Sequence, residues 1–163
     1  MMRQTLRALC AASLALAPLA LGAAPAHAVT SCTVNGVPVT GPNVNGTPGN
    51  DVIVCSLVES GESVNGGAGS DYITLTGPVN GLVYGGAGRD SITAQPAATV
   101  NGFIVGAEDS DLIRVAGTVT NLVAGGSGND YIQVATNEGV VTGDSGLDVC
   151  RIGTGNAPFD CEV

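Results

Sequence analysis

The chain has no Lys and no Trp, a single His, and only two Phe and three Tyr. Each shortage removes a class of function. With five Arg and no Lys against 14 Asp and Glu, it has no basic face to neutralise phosphates, so nucleic acid is not a partner. The same balance repels anionic membrane surfaces. Lacking Lys, and with its one His near the start, the chain is missing the usual nucleophile–base arrangements, and no enzyme is expected. With so few aromatics, any core must be thin and aliphatic. Helical patterning is missing too. Beyond residue 28 no ten-residue segment places apolar side chains at i, i+3 and i+4, so no helix is expected there.

What is present begins with a leader. Arg3 and Arg7 give a positive start, Leu6 to Leu21 is an apolar run, and Ala26-His27-Ala28 is a small-residue cleavage site. This is the pattern of a secretory signal peptide over residues 1–28, cleaved after Ala28. A membrane span fits less well, because Pro18 interrupts a run already short of the roughly 20 residues a span requires. The expected product is secreted and extracellular, with no membrane insertion. Cleavage removes His27 and two Arg, leaving three Arg against 14 acids, a net charge of −11. It also leaves four Cys: Cys32, Cys55, Cys150 and Cys161. An even number of Cys in an exported chain reads as disulfides rather than metal ligands.

The rest of the chain, too short for several ordinary domains, is dominated by one recurring stretch. Gly66-Gly67-Ala68-Gly69-Ser70-Asp71-Tyr72-Ile73-Thr74 returns as Gly85-Gly86-Ala87-Gly88-Arg89-Asp90-Ser91-Ile92-Thr93 and as Gly125-Gly126-Ser127-Gly128-Asn129-Asp130-Tyr131-Ile132-Gln133. Looser copies start at Gly46, Gly106 and Gly143. All six copies keep Gly at the first place and Asp at the sixth: Asp51, Asp71, Asp90, Asp111, Asp130 and Asp148. The spacings between these Asp are 20, 19, 21, 19 and 18, about one coil of a β-solenoid.

Aligning the coils on their Asp supports that reading. Two places on stand Ile53, Ile73, Ile92, Ile113, Ile132 and Cys150; four places on stand Cys55, Leu75, Ala94, Val115, Val134 and Ile152. Between them lie mostly outward types such as Tyr72, Thr74, Arg114 and Gln133. This alternation is that of a strand with one buried face. A second apolar column, Val64, Val83, Ile104, Val123 and Val141, precedes each later turn by two residues. Each coil is therefore read as two short strands around a thin core, with a Gly–Asp turn on one side and a variable connection such as residues 76–81 on the other. The lead-in covers 29–45, the repeats 46–152 and a closing cap 153–163. At ~25 cal/mol per Å² of buried apolar surface, coils this narrow need another source of stability.

The turn itself suggests one. Parallel stacking sets equivalent residues about 4.8 Å apart. At that separation two unit charges repel by about 3.5 kcal/mol at an effective dielectric of ~20, before salt screening. A column of six aspartates therefore opposes stacking unless a cation lies between the turns. Calcium takes six to eight oxygens from carboxylates and carbonyls in an irregular shell; magnesium tolerates that shell poorly, and zinc wants His or thiolate. Glycines at the first, second and fourth places let the backbone turn sharply and bring carbonyls to the ion. The ligand set expected is Asp51; Gly66, Gly67, Gly69 and Asp71; Gly85, Gly86, Gly88 and Asp90; Gly106, Asp109 and Asp111; Gly125, Gly126, Gly128 and Asp130; and Gly143 and Asp148. Asp109 stands at a fourth place, where Asp is acceptable because it visits the left-handed region more readily than most residues. Glu108 and Asp109 offer extra ligands. The end copies at Asp51 and Asp148 each lack one stacked partner and read as half-sites. Six turns enclose five gaps, of which three to five are expected to hold calcium.

Over Gly46 to Ile152 the chain resembles the haemolysin-type (RTX) calcium-binding repeat, whose signature is the nonapeptide GGxGxDxUx. The resemblance implies a right-handed parallel β-roll with calcium between stacked turns, held by the Asp carboxylate and turn carbonyls. Family members usually carry these nonapeptides back to back. Here every second one has lost its turn, so calcium is expected on one side only. The cysteines occupy the ends: Cys55 and Cys150 lie in inward columns of the first and last coils, Cys32 in the lead-in and Cys161 in the cap. Of three connectivities, these places favour Cys32–Cys55 and Cys150–Cys161.

Competing readings weigh less. A solvated acidic ladder would not need the glycines, and a carboxylate pair that cleaves sugar linkages needs a cleft. Tyr72 and Tyr131 share an outward column but are two coils apart, which weakens a sugar-stacking platform. A Thr ladder begins at Thr74 and Thr93 and ends at Arg114. A cell-surface scaffold that displays this face to a protein or glycan is the alternative function.

Overall fold

In an extended chain alternate side chains face opposite ways, so a strand with apolar residues at every second place must bury one face. The computed structural model, which describes residues 28–162, follows that rule along most of its repeat strands and departs from it where they run into the glycine turns, as at Ala124 and Gly125, both buried beside Val123. The signal peptide expected over residues 1–28 falls outside the described residues apart from Ala28. Fourteen strands, and no helix among the described residues, run in this order: β1 (Ser31–Val34), β2 (Val37–Thr40), β3 (Asn43–Asn45), β4 (Val52–Leu57), β5 (Ser63–Ala68), β6 (Tyr72–Leu75), β7 (Leu82–Ala87), β8 (Ser91–Ala94), β9 (Phe103–Glu108), β10 (Leu112–Val119), β11 (Leu122–Ser127), β12 (Tyr131–Asn137), β13 (Val140–Ser145) and β14 (Val149–Gly155).

They form two stacked sheets, parallel throughout the repeats. One sheet has eight strands in the order β14-β12-β10-β8-β6-β4-β1-β2, the other six in the order β13-β11-β9-β7-β5-β3. The molecule is a β-solenoid of about six coils, as the repeat implied. Its register is the one the Asp alignment required. Ile53 pairs with Ile73, Ile73 with Ile92, Ile92 with Ile113, Ile113 with Ile132, and Ile132 with Cys150. Val64, Val83, Ile104, Val123 and Val141 form the facing column, and Val44 extends it by one coil. All of these aliphatic side chains are buried.

The variable connection contributes more than its sequence suggested. Val58, Val79, Val100 and Val119 are linked by single parallel bridges and are fully buried. They make a third inward column, which Asn137 continues at the last coil. The differing coil lengths are absorbed beside it, as where Ala98 N–H donates to the Gln95 carbonyl in a local turn.

The lead-in is a hairpin rather than a further coil. β1 pairs antiparallel with both β2 and β4. Asn35-Gly36 turns it with both residues at positive φ (52° and 80°), the geometry that favours an Asn–Gly pair in a two-residue hairpin turn. Disulfides join Cys32 to Cys55 and Cys150 to Cys161, so each end of the stack is tied to the segment beside it.

Candidate metal centre

The six aspartates stand at the corner between the two sheets, immediately before the strands of the larger one. Asp51, Asp71, Asp90, Asp111, Asp130 and Asp148 are all buried, none more than 3% exposed. The corner turns inward there because of its glycines. In the turn from Gly66 to Asp71 the second and fourth places have φ of 110° and 113°, a region open to glycine and costly for other residues. The first place needs space instead. A methyl group on Gly66 would lie well inside 3.0 Å of both Asp71 Oδ2 and the Gly85 carbonyl oxygen. The same pair recurs at Gly85 (Asp90 Oδ2 and Gly106 O), Gly106 (Asp111 Oδ2 and Gly125 O) and Gly125 (Asp130 Oδ2 and Gly143 O). Each first-place glycine therefore makes room for a carboxylate oxygen of its own coil and a main-chain carbonyl of the next. The looser Gly106 copy keeps the backbone path with Ala107 at φ 99° and Asp109 at φ 70°.

The carboxylates form a hydrogen-bonded ladder. The backbone N–H of Asp51 donates to Asp71 Oδ1 at 2.8 Å, Asp71 to Asp90 at 2.7 Å, Asp90 to Asp111 at 2.7 Å, Asp111 to Asp130 at 2.8 Å and Asp130 to Asp148 at 2.8 Å. Only one oxygen of each is used. Oδ2 of Asp71, Asp90, Asp111, Asp130 and Asp148 is buried without a hydrogen-bond partner. A buried polar atom left unpaired normally costs about 1–3 kcal/mol, more when charged, so five in a line require an explanation.

Protonation shifts record the same imbalance. Burial pushes the carboxyl of Asp111 up to about 7, and the charges of Asp90, Asp130 and Asp109 push the same way against the backbone hydrogen bond. Asp90 is raised to about 6 by burial, with smaller contributions from Asp71 and Asp109. Asp71 and Asp130 are raised for the same leading reason.

Asp51 is different. Thr47 N–H donates to its Oδ2 at 2.6 Å, the Thr47 hydroxyl reaches both oxygens at 3.0 and 3.2 Å, and Asn35 Nδ2 donates to Oδ1 at 2.5 Å. The Thr47 backbone bond, opposed by burial and helped by Asn35, holds this carboxyl below its ordinary value. The first rung is thus closed by protein groups. The expected half-site at Asp148 is not left without a stacked partner either: its N–H donates to Glu162 Oε2 at 2.5 Å. Glu108 and Asp109 are exposed and stand outside the column, although the charge of Asp109 is felt within it.

Three contributors escaped the sequence reading: Asn35, Thr47 and Glu162. Asn35 had a signal, an Asn–Gly pair between apolar runs. Thr47, at a second place otherwise mostly glycine, had a weak one, and Glu162 had none. On the outer face Tyr72 and Tyr131 remain apart, and Arg151 covers the Tyr131 ring at 5.8 Å from its centroid.

Among the described residues no three His, Cys, Asp or Glu side chains gather into a metal-ligating cluster. The acids are strung out one per coil, so a cation held here must draw most of its ligands from main-chain carbonyls. The donors present suit a hard cation: every available atom is oxygen, one in each coil carries a carboxylate charge, and a carbonyl of the next coil lies beside it. No protein-family model, curated protein or solved structure matches the chain. The reading of the column therefore rests on its own geometry.

Proposed function

We propose that this chain is an exported calcium-binding β-solenoid of the RTX type, a structural or binding module whose metal drives its folding outside the cell. The observation that carries the reading is the line of five buried, unpartnered Oδ2 atoms, four beside a main-chain carbonyl of the following coil and the last, of Asp148, beside Asp160 O. Asp71, Asp90, Asp111, Asp130 and Asp148 would hold the ions, with turn carbonyls completing each shell. Bound calcium supplies the positive charge that cancels repulsion along the column. The chain's own contribution is to exclude water from the carboxylates, to fix Oδ1 with a backbone N–H and to leave Oδ2 uncommitted. Extracellular calcium modules bind at ~10⁻⁴–10⁻³ M, so the coils would remain loose until they meet external calcium.

Circular dichroism and thermal melting with calcium and with a chelator test this. Calcium is expected to raise the melting temperature and to sharpen the β spectrum. An identical, fully folded β signal and an identical melt in chelator would remove the reading.

A further inference from the structure

Building on that calcium reading, we infer that residues 159–162 form a seventh, non-repeat turn that completes the metal site of Asp148, with Glu162 as its added acidic group and the Cys150–Cys161 disulfide as its clasp. Six glycine repeats alone would leave the last carboxylate facing nothing. The chain after β14 instead supplies both oxygens that a further coil would bring.

The first is a carbonyl. Within the repeats, the first-place glycine of one coil sits against the first-place carbonyl of the next, as Gly125 does against Gly143 O. At Gly143 that position is taken by Asp160 O, alongside Asp148 Oδ2. The second is a carboxylate. Each aspartate N–H donates to the next coil's Oδ1, and Asp148 N–H donates instead to Glu162 Oε2 at 2.5 Å. Backbone pairing holds the segment in place. Phe159 N–H donates to Val141 O at 2.8 Å, Gly143 N–H to Phe159 O at 3.1 Å and Glu162 N–H to Asp148 O at 2.9 Å, with a parallel bridge between Thr142 and Phe159. Asp148 Oδ2 meanwhile stays buried and unpartnered, like the four before it.

The disulfide lies at the centre of this arrangement. Cys161 separates Asp160 from Glu162, and its partner Cys150 is two residues beyond Asp148. Opening that one bond releases both substitute ligands together. The opposite end has no equivalent, because Thr47 and Asn35 already occupy Asp51. The terminal site is therefore the one metal site whose occupancy depends on oxidation.

Calcium bound per chain, measured by equilibrium dialysis and calorimetry on the oxidised protein, tests this with two variants. Glu162→Gln keeps length and one acceptor oxygen but removes the charge; the paired Cys150→Ser, Cys161→Ser variant opens the clasp and leaves Cys32–Cys55 intact. Both are expected to bind one calcium fewer than the wild type, or to bind the last at least tenfold more weakly, with the other sites within about twofold. Circular dichroism in calcium verifies that the remaining coils are folded, and Glu162→Gln carries the test should the cysteine pair fail to fold. Wild-type stoichiometry and affinity in Glu162→Gln would overturn the inference while leaving the calcium reading intact. A wild-type chain that retains no calcium would overturn both.

Discussion

The turn ending at Asp51 and the turns ending at Asp90 and Asp111 share a first-place glycine, a sixth-place aspartate and a buried carboxylate, yet their electrostatics are opposite. At Asp51 both oxygens are held by Thr47 and Asn35, and the carboxyl is stabilised in its charged form. At Asp90 and Asp111 one oxygen accepts a single backbone N–H, the other accepts nothing, and the neutral form is favoured. The difference lies in what surrounds the motif. A buried aspartate is satisfied where threonine and asparagine reach it, and keeps an unpartnered oxygen where no such side chain does. The first rung is closed by protein groups; each later rung keeps one buried carboxylate oxygen unpartnered, and these are the atoms the proposed ion would use.

The turns can be set against each other by mutation. The largest contrast is expected between two fourth-place glycines. Gly88 has φ 112°, and a methyl group there would strike the Gly69 backbone, whereas Gly49 lacks positive φ and its nearest contact would be Thr47 Oγ1 at 3.8 Å. Gly88→Ala should cost roughly 3 kcal/mol or more in urea unfolding, and Gly49→Ala less than about 0.5 kcal/mol. Equal effects would mean that the two turns do not differ in backbone path.

Next come the acids. Without calcium near pH 8, Asp111→Asn removes a buried charge and should stabilise the fold by on the order of 2 kcal/mol. In saturating calcium the same change should destabilise it. Asp51→Asn loses an acceptor for the Thr47 N–H and should destabilise by roughly 1–3 kcal/mol with or without calcium. Thermal melts of both variants in calcium and in chelator supply the four values.

The pH dependence follows from the same asymmetry. Asp90 and Asp111 are raised from 3.8 to about 6 and about 7, so the folded, metal-free state binds more protons than the unfolded chain in that window. Their contribution is fully present below about pH 3.8 and is lost as pH rises through 6 to 7. In chelator, urea midpoints should therefore fall between pH 5 and pH 8. In calcium they should rise over the same range, because protons compete with the ion. Asp51, shifted the other way, contributes above its unfolded value and loses that contribution on acidification. The smallest effect is expected at Ala107, whose φ of 99° suits glycine. Ala107→Gly should add about 1 kcal/mol, read as a higher melting temperature.

Much of this could be read from the chain before its fold was known. The aspartate spacing and the Ile53–Ile132 column indicated the coil and the register, because period-two alternation around a repeated glycine turn leaves little choice of pairing; the places of the four cysteines at the two ends favoured, among three connectivities, the pairing that forms. Two things were less legible. The third column of Val58, Val79, Val100 and Val119 was hidden in connections of different length, where one apolar residue per coil gives no periodicity. The closing of the ends was hidden because Thr47, Asn35 and Glu162 act once each, through contacts 4, 16 and 14 residues away in sequence. Repeats announce themselves by recurrence; the groups that terminate them do not.

The most direct test of the central claim is a calorimetric calcium titration of the oxidised, metal-stripped protein, read together with its melting temperature. The account predicts several calcium ions per chain, up to the five carboxylates of the column whose Oδ2 is unpartnered, with a rise in melting temperature that follows occupancy. No binding heat and an unchanged melt at millimolar calcium would contradict it.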